Sequence, residues 1–321
     1  MVPILMDDQS IDVSVLIVNW NAQERLTGCL NSIRQVTDLQ VETIVVDNAS
    51  TDESVALVRA KFPQTRLVLN NENMGFATAN NQAAKLARGR YLLLLNPDAE
   101  VSPGALDEMV LFSGQNPDVA AIGPRLLNPD GSPQRSGWHG YPGLMTAAID
   151  AFYLWKLPWL PFVRRTELIS EPLTSVRSVD HLLGACMLIP REAWDAVGPL
   201  DEGYFLFLEE TDWCRRARLA GWRLVLLPTV TVVHYGQHSM RQQPSRNLPH
   251  LYHSYCRFYR ESPGSNRFGI FLLKLTIILA VLIRCVLWLV RALFEGNGLQ
   301  KNRARTMSKG YLQVLKDLPA M

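Results

Sequence analysis

Four short apolar runs set the frame of this chain: VSVLIVNW, VETIVVDNAS, RLVLN and RYLLLLNPDAE, all within the first hundred residues. Near-continuous stretches of Val, Ile and Leu with polar ends are the pattern of strands buried on both faces of a sheet. Helical patterns separate them. A polar one runs to about Arg34. STDE at 50–53 has the spacing of a capping box and predicts a helix to about Phe62. GFATANNQAAKLARG reads as an Ala-rich helix closed by Gly89. Strands alternating with helices at this rhythm predict an α/β fold with a doubly wound, mostly parallel sheet. Such sheets hold ligands at the carboxyl ends of their strands. Polar residues gather at those ends here: Asn19 and Asn21, Asp47 and Asn48, Asn73, then Asn96 and Asp98.

Several function classes are excluded early. The turn after the first strand reads NWNAQE and lacks the GxGxxG that lets a backbone approach a dinucleotide pyrophosphate, which argues against a dehydrogenase. No Walker GxxxxGK[ST] occurs, so an ATPase or GTPase is not expected. The net charge of +2 and the absence of RNP, zinc-finger or basic-helix patterns argue against a nucleic-acid partner. The five cysteines (Cys29, Cys186, Cys214, Cys256, Cys285) are scattered and never spaced CxxC, which fits a reducing compartment and no structural zinc. MVPILMDDQS lacks a basic segment followed by a long apolar core, so no signal peptide is expected.

Beyond residue 124 the pattern loosens into a segment rich in Pro, Gly and Trp. HLLGACMLIP then predicts a strand, followed by a helix opened by Arg191 and a strand RLVLLPTVTVVHYG. Between the last two lies FLFLEETDWCRRARLAGW, with Glu209, Glu210 and Asp212 clustered at a helix start. Acidic residues there complement the helix dipole, and an Asp–Arg pair four apart is ordinary surface decoration. From Arg267, RFGIFLLKLTIILAVLIRCVLWLVRALF is long enough to span a bilayer, but Lys274, Arg284 and Arg291 interrupt it. It can span, lie in the interface with its cations snorkelling, or dock on protein. The basic tail KNRARTMSKGYLQVLK suits an anionic membrane surface.

LLLLNPDAEV offers a phosphate-handling device without glycines. A strand delivers Asn96 and Asp98 to the sheet edge, and a carboxylate at an exposed strand end can hold Mg²⁺ or Mn²⁺ against a diphosphate. His234 is a candidate further ligand. The plainer readings are a turn for Asn-Pro-Asp and a structural histidine. His234 and His238 stand four apart but have no third ligand at zinc spacing.

Taken together, VSVLIVNWNA, IVVDNASTD, NMGFATANN, LLLLNPDAEV and GACMLIPREAWDAVGPLDEGYFLFLEETDWCRRARLAGW resemble, in order and over about residues 13–236, a family 2 glycosyltransferase of the bacterial rhamnosyltransferase-like branch. The resemblance implies a GT-A fold, with a nucleotide-binding half at about 11–123 and an acceptor half at about 124–262. Residues 263–321 then form a hydrophobic, membrane-associating helix and a basic tail. It implies that Asn19, Asp47, Asn48, Asn73, Gly75 and Asn96 line the nucleotide-sugar site, with Asp47 toward the nucleobase. Asp98 and His234 are the implied metal ligands; Asn96 replaces the first Asp of the family's DxD pattern. The second acidic residue of the family's Glu-Asp-x-Asp motif supplies the catalytic base. Here that is Glu210, with Glu209 as its rival and Asp212 as a structural partner of Arg215 or Arg216. A base must be charged, and a helix N-terminus keeps a carboxylate ionised.

The implied activity is inverting transfer from a nucleotide-diphospho sugar, with Mg²⁺ or Mn²⁺, to a lipid-linked or cell-envelope saccharide. The branch points to L-rhamnose from dTDP-rhamnose. Hexose, N-acetylhexosamine and galactofuranose transfer are alternatives, as is a non-catalytic nucleotide-sugar-binding membrane scaffold. The expected location is the cytoplasmic face of the inner membrane, peripheral or monotopic.

Overall fold

The computed structural model describes residues 11–34, 38–134, 136–138, 140–157, 159–160, 175–236, 243–294 and 298–319. The first ten residues, His238 and most of the run after Pro158 lie outside the described residues.

The first half follows the sequence rhythm. β1 (Val13–Asn19), α1 (Gln23–Arg34), β2 (Val41–Asp47), α2 (Ser54–Lys61), β3 (Arg66–Leu69), α3 (Phe76–Leu86) and β4 (Tyr91–Leu95) alternate, and β1 pairs in parallel with both β2 and β4. β1 is buried along its whole length. Val13, Val15 and Ile17 enter one core and Leu16 and Val18 the other, as the two-residue period of a strand requires. Two helix ends differ from expectation. α2 starts at Ser54, not within the 50–53 motif, because the Ser50 hydroxyl is engaged by Asn19 and the Asn21 backbone. α3 ends at Ala87 in an extended conformation. Gly89 is required for space instead: a Cβ there would lie 2.5 Å from the Ser14 nitrogen.

The second half is mixed. β5 (Ala99–Val101), α4 (Ala105–Gln115), β6 (Val119–Leu127), β7 (Gly137–Trp138), α5 (Leu144–Ala151), β8 (Arg177–Ser178), β9 (His181–Leu182), β10 (Cys186–Pro190), α6 (Arg191–Val197), α7 (Glu209–Leu219) and β11 (Arg223–His234) follow. The nine-stranded sheet runs β3-β2-β1-β4-β10-β6-β11-β5, with β8 on β11. β10 is antiparallel to β4, so the Cys186↔Leu95 pair puts the start of β10 where β4 ends. β11 runs parallel to β6 through a register shift between Leu227 and Thr231 that accommodates Pro228.

α8 (Pro244–Arg260), α9 (Arg267–Phe294) and α10 (Gly298–Asp317) close the chain. They share a third apolar cluster built on Leu248, Cys256, Leu273, Ile277, Val281 and Val314, against which Leu144 and Ala147 of α5 also pack.

Candidate active site

The first group, at the ends of β1 and β2, is a network of amides. Asn19 and Asp47 are register partners at the ends of β1 and β2. The Asn19 amide donates to Asp47 Oδ1 at 2.7 Å, and the Ser50 backbone N–H donates to Asp47 Oδ2 at 2.9 Å. Asp47 is 3 % exposed, so both its oxygens first tie the two strand ends together. Asn48 Nδ2 donates to the Gly75 carbonyl at 3.0 Å and its Oδ1 accepts from Asn70 at 2.8 Å. Asn73 Oδ1 accepts the Gly75 N–H at 3.0 Å, a local turn that aims the start of α3. Gly75 needs to be glycine: its φ is +85°, and a Cβ would sit 2.5 Å from the Phe205 carbonyl. Asn19 Oδ1 is buried without a hydrogen-bond partner among the described residues, an acceptor left over at the strand end.

The second group stands at the end of β4. Asp98 Oδ1 lies 3.4 Å from His234 Nε2, and Asn96 Nδ2 lies 3.4 Å from the same nitrogen. Antiparallel pairing of β11 with β5, His234 opposite Ala99, creates this meeting. Asp98 is only 5 % exposed, against the expectation of an exposed strand end, because β11 covers it. Gln134 then decides the histidine tautomer. Its Nε2 donates to the His234 carbonyl and, at 2.8 Å, to Asn128 Oδ1, which turns its Oε1 toward His234 Nδ1 at 3.0 Å. An oxygen cannot donate, so Nδ1 carries a proton, and in the neutral ring the lone pair is on Nε2. A lone pair facing a carboxylate oxygen calls for a cation. No group of three or more His, Cys, Asp or Glu that could hold a metal occurs among the described residues. Asp98 and His234 therefore fit a divalent ion as a partial site, the remaining positions falling to diphosphate and water oxygens.

The third group is the acidic pair. Glu209 and Glu210 open α7 and are 4 % and 8 % exposed. Burial pushes both carboxyls up, which corrects the expectation that a helix N-terminus alone fixes their charge. Backbone N–H groups at the helix start do pull both down, as the dipole predicts, but desolvation is the larger effect. The pair is asymmetric. Burial raises both, and the neighbouring Glu210 charge raises Glu209 further. Both carboxyls therefore hold a proton more readily than a solvated glutamate, Glu209 the more strongly of the two. Glu209 Oε2 has no hydrogen-bond partner among the described residues. Asp212 is structural: Arg215 and Arg216 clamp it at 2.5 and 2.9 Å.

Two contacts join these groups. Gly184 packs against Glu210, where a Cβ would be 3.3 Å from the Glu210 Cγ, and the next residue's carbonyl accepts the Asn96 N–H at 2.9 Å. The loop before α7 meets the first group directly, with the Phe76 N–H donating to the Phe205 carbonyl at 2.8 Å. Among the described residues, four of the five non-glycine residues at positive φ, Asn21, Ala49, Phe207 and Leu208, border these groups, so backbone strain is concentrated around them. Sequence reasoning missed Gln134, Asn70 and Gly184. Asn70 ends a strand like the others and was legible in principle. Gln134 lies in an irregular segment with no periodic signal.

Residues 14–166 match the family described as Glycosyl transferase family 2. An N-acetylglucosaminyl-diphospho-decaprenol L-rhamnosyltransferase of Mycobacterium tuberculosis is 31% identical over 248 residues, 73% of this chain and 79% of the relative. A mannosyltransferase from Pyrobaculum calidifontis, solved in complex with GDP-Man and Mn2+, superposes with a TM-score of 0.53 at 17% identity over 97% of this chain and 90% of that one. GalNAc-T7, solved with UDP, GalNAc and Mn2+, gives 0.54 at 19% identity over 71% and 44%. At those identities the two structures speak to the fold alone, the mixed α/β sheet of GT-A enzymes. The motif order along the chain, the sheet and the extent of the mycobacterial similarity make this protein a member of the family 2 glycosyltransferases, in their rhamnosyltransferase-like branch.

Proposed function

We propose that the chain is an inverting, divalent-metal-dependent glycosyltransferase that moves L-rhamnose from dTDP-rhamnose to a lipid-linked saccharide at the cytoplasmic face of the inner membrane. The observation that carries this reading is the buried Glu209–Glu210 pair held through Gly184 and Ala185 beside Asn96, Asp98 and His234. The relative's printed activity, rhamnosyl transfer to N-acetylglucosaminyl-diphospho-decaprenol, supports both the donor and the lipid-borne acceptor.

In the proposed mechanism the donor lies across the strand ends. Asn19, Asp47, Asn48, Asn73 and Gly75 form the nucleoside and ribose side, and Asn96 faces the diphosphate. Asp98 and His234 would hold Mg²⁺ or Mn²⁺, which supplies charge neutralisation for the leaving nucleoside diphosphate. Glu210 accepts the proton of the acceptor hydroxyl as that oxygen bonds the anomeric carbon. The bond from that carbon to the diphosphate oxygen breaks on the opposite face, inverting the configuration. Glu209, kept protonated by its burial, leaves Glu210 as the charged member of the pair and avoids two adjacent negative charges. Burial makes Glu210 a stronger base than a solvated glutamate.

The test is a panel of nucleotide sugars, each with Mg²⁺ or Mn²⁺ and a polyprenyl-diphosphate-linked N-acetylglucosamine acceptor. Transfer from dTDP-rhamnose with inverted product stereochemistry is the expected result. Efficient use of a UDP- or GDP-hexose with dTDP-rhamnose inert overturns the donor assignment.

A further inference from the structure

α9 is the one helix, among the described residues, long and apolar enough to cross a membrane. Its two faces differ. One face, with Leu273, Ile277, Val281, Arg284 and Cys285, is buried and packs against α5, α8 and α10. The other carries a stripe at helical spacing through Phe271, Leu275, Leu279, Leu282, Val286 and Leu293, with Phe271 62% and Leu293 80% exposed. Arg284, the cation that makes a spanning reading expensive, belongs to the buried face. It is 6% exposed, its guanidinium 3.3 Å from the Tyr252 hydroxyl and over the Tyr153 ring at 5.1 Å.

We propose that α9 is an in-plane membrane seat: its apolar stripe lies in the interface of an anionic bilayer and the helix does not cross. The buried face argues against crossing. It is buried from Gly269 to Ala292, where α9 packs on α5, α8 and α10, and α8 in turn holds the loop before Glu209. To span, α9 would have to shed those partners or drag α8, with Arg257 and Arg260, into hydrocarbon. At ~1.5 Å per residue the 28-residue helix is ~42 Å long. Laid flat, that gives a continuous apolar keel. The occupant follows from charge. Arg267 and Arg291 stand exposed near the ends of α9, Arg291 stacked on Trp288 at 5.3 Å, and α10 exposes Arg303, Arg305, Lys309 and Lys316. An apolar face with aromatic and cationic flanks matches acyl chains beneath anionic headgroups.

The seat is braced to the catalytic loop. α8 packs on α9 and α10, and it grips the segment leading to Glu209. His250 stacks on Phe205 at 4.3 Å, Ser254 Oγ donates to the Leu206 carbonyl at 2.8 Å, and Arg257 pairs with Asp201 at 2.8 Å. The acid pair is thereby held at a fixed height above the bilayer. This purpose rests on the lipid-linked acceptor proposed above; the seat itself does not.

The test therefore uses no acceptor. Full-length protein is floated with phosphatidylglycerol-containing and with pure phosphatidylcholine vesicles. Binding to the anionic vesicles is expected, weakened at least tenfold by Leu282→Glu with Val286→Glu. Thermal stabilisation by dTDP should persist in that variant, since both residues are exposed. In inverted membrane vesicles, an impermeant maleimide should label Lys61→Cys and Lys316→Cys from the same side; the native cysteines are buried. Labelling of Lys316→Cys only after the membrane is opened means that α9 crosses, and overturns the proposal. So does a detergent-free dimer with no vesicle binding, which would assign the stripe to a second copy. Lack of transfer to lipid acceptors with vesicle binding intact would count against the proposed function and leave the seat standing.

Discussion

Two groups of the candidate site are built from opposite chemistries. The group proposed to bind the nucleotide uses neutral amides in a nearly complete hydrogen-bond network, Asn19, Asn48, Asn70 and Asn73 around Asp47 and Gly75. The group proposed to face the acceptor uses two carboxyls crowded into a desolvated helix start behind two strained residues, Phe207 and Leu208. A satisfied amide network is rigid and inert, which suits holding a donor in one pose. A buried carboxyl pair is costly and reactive, which suits moving a proton. On the proposed function, binding and chemistry fall to different groups, and substitutions in the two should fail differently.

The largest difference is expected from Glu210→Gln, which keeps size but cannot take a proton. Single-turnover transfer should fall by about 10²-fold or more, the scale of general-base catalysis, while dTDP affinity stays the same. Near-normal transfer here with collapse in Glu209→Gln would move the base one residue back; normal transfer in both would reduce the pair to a helix start.

Asp98 and His234 are the proposed metal ligands, and Gln134 sharpens the role of His234. Asp98→Asn should abolish thermal stabilisation by Mn²⁺ plus dTDP along with metal-dependent transfer. Gln134→Leu frees the His234 ring from its fixed tautomer and should raise the metal concentration needed for half-maximal stabilisation by about tenfold. A Gln134 variant with an unchanged metal requirement would make that contact a fold contact only.

In the group proposed to bind the nucleotide, Gly75→Ala places a Cβ against the Phe205 carbonyl at a backbone angle of +85°. Strain of this kind is worth about 1–3 kcal/mol, so donor affinity and melting temperature should both drop, with the rate at saturating donor changing least. Calorimetric titration with dTDP alongside the kinetics reads the split; an unchanged dissociation constant would show that the loop does not bear on the donor.

The smallest effect concerns pH. The folded protein holds the Glu209 proton more tightly than the unfolded chain, so stability falls as pH rises from the ordinary glutamate value of 4.5 through the raised one. Glu209→Gln removes that loss: it should melt above wild type near neutral pH and converge with it in acid. The wild-type transfer rate should show an acid limb above 4.5, set by Glu210. Parallel melting curves at all pH values would mean the pair is not strained by its burial.

Much of the parallel half was readable because it is local. A run such as VSVLIVN declares a strand buried on both faces, and the polar residues that end each run are where the ligand side of the sheet lies. α4 and β6 were not anticipated. VAAIGPRLL carries Gly and Pro, which weigh against a strand, and it is held by its pairing with β11 and β10, far along the chain. Its Pro124 stands opposite Leu227 at the register shift, a tolerance no local pattern announces.

By itself the sequence determined the strand ends, the residue types at the candidate site and the existence of an apolar terminal helix, because alternation and helical spacing are short-range properties. Only the tertiary structure decided the state of those residues. Insertion of β10 between β4 and β6 brings Gly184 against Glu210, and β11 covers Asp98. Packing on α8 withdraws Arg284 from the face that α9 presents outward. Burial sets charge, tautomer and orientation, and burial depends on whatever distant segment arrives to exclude water.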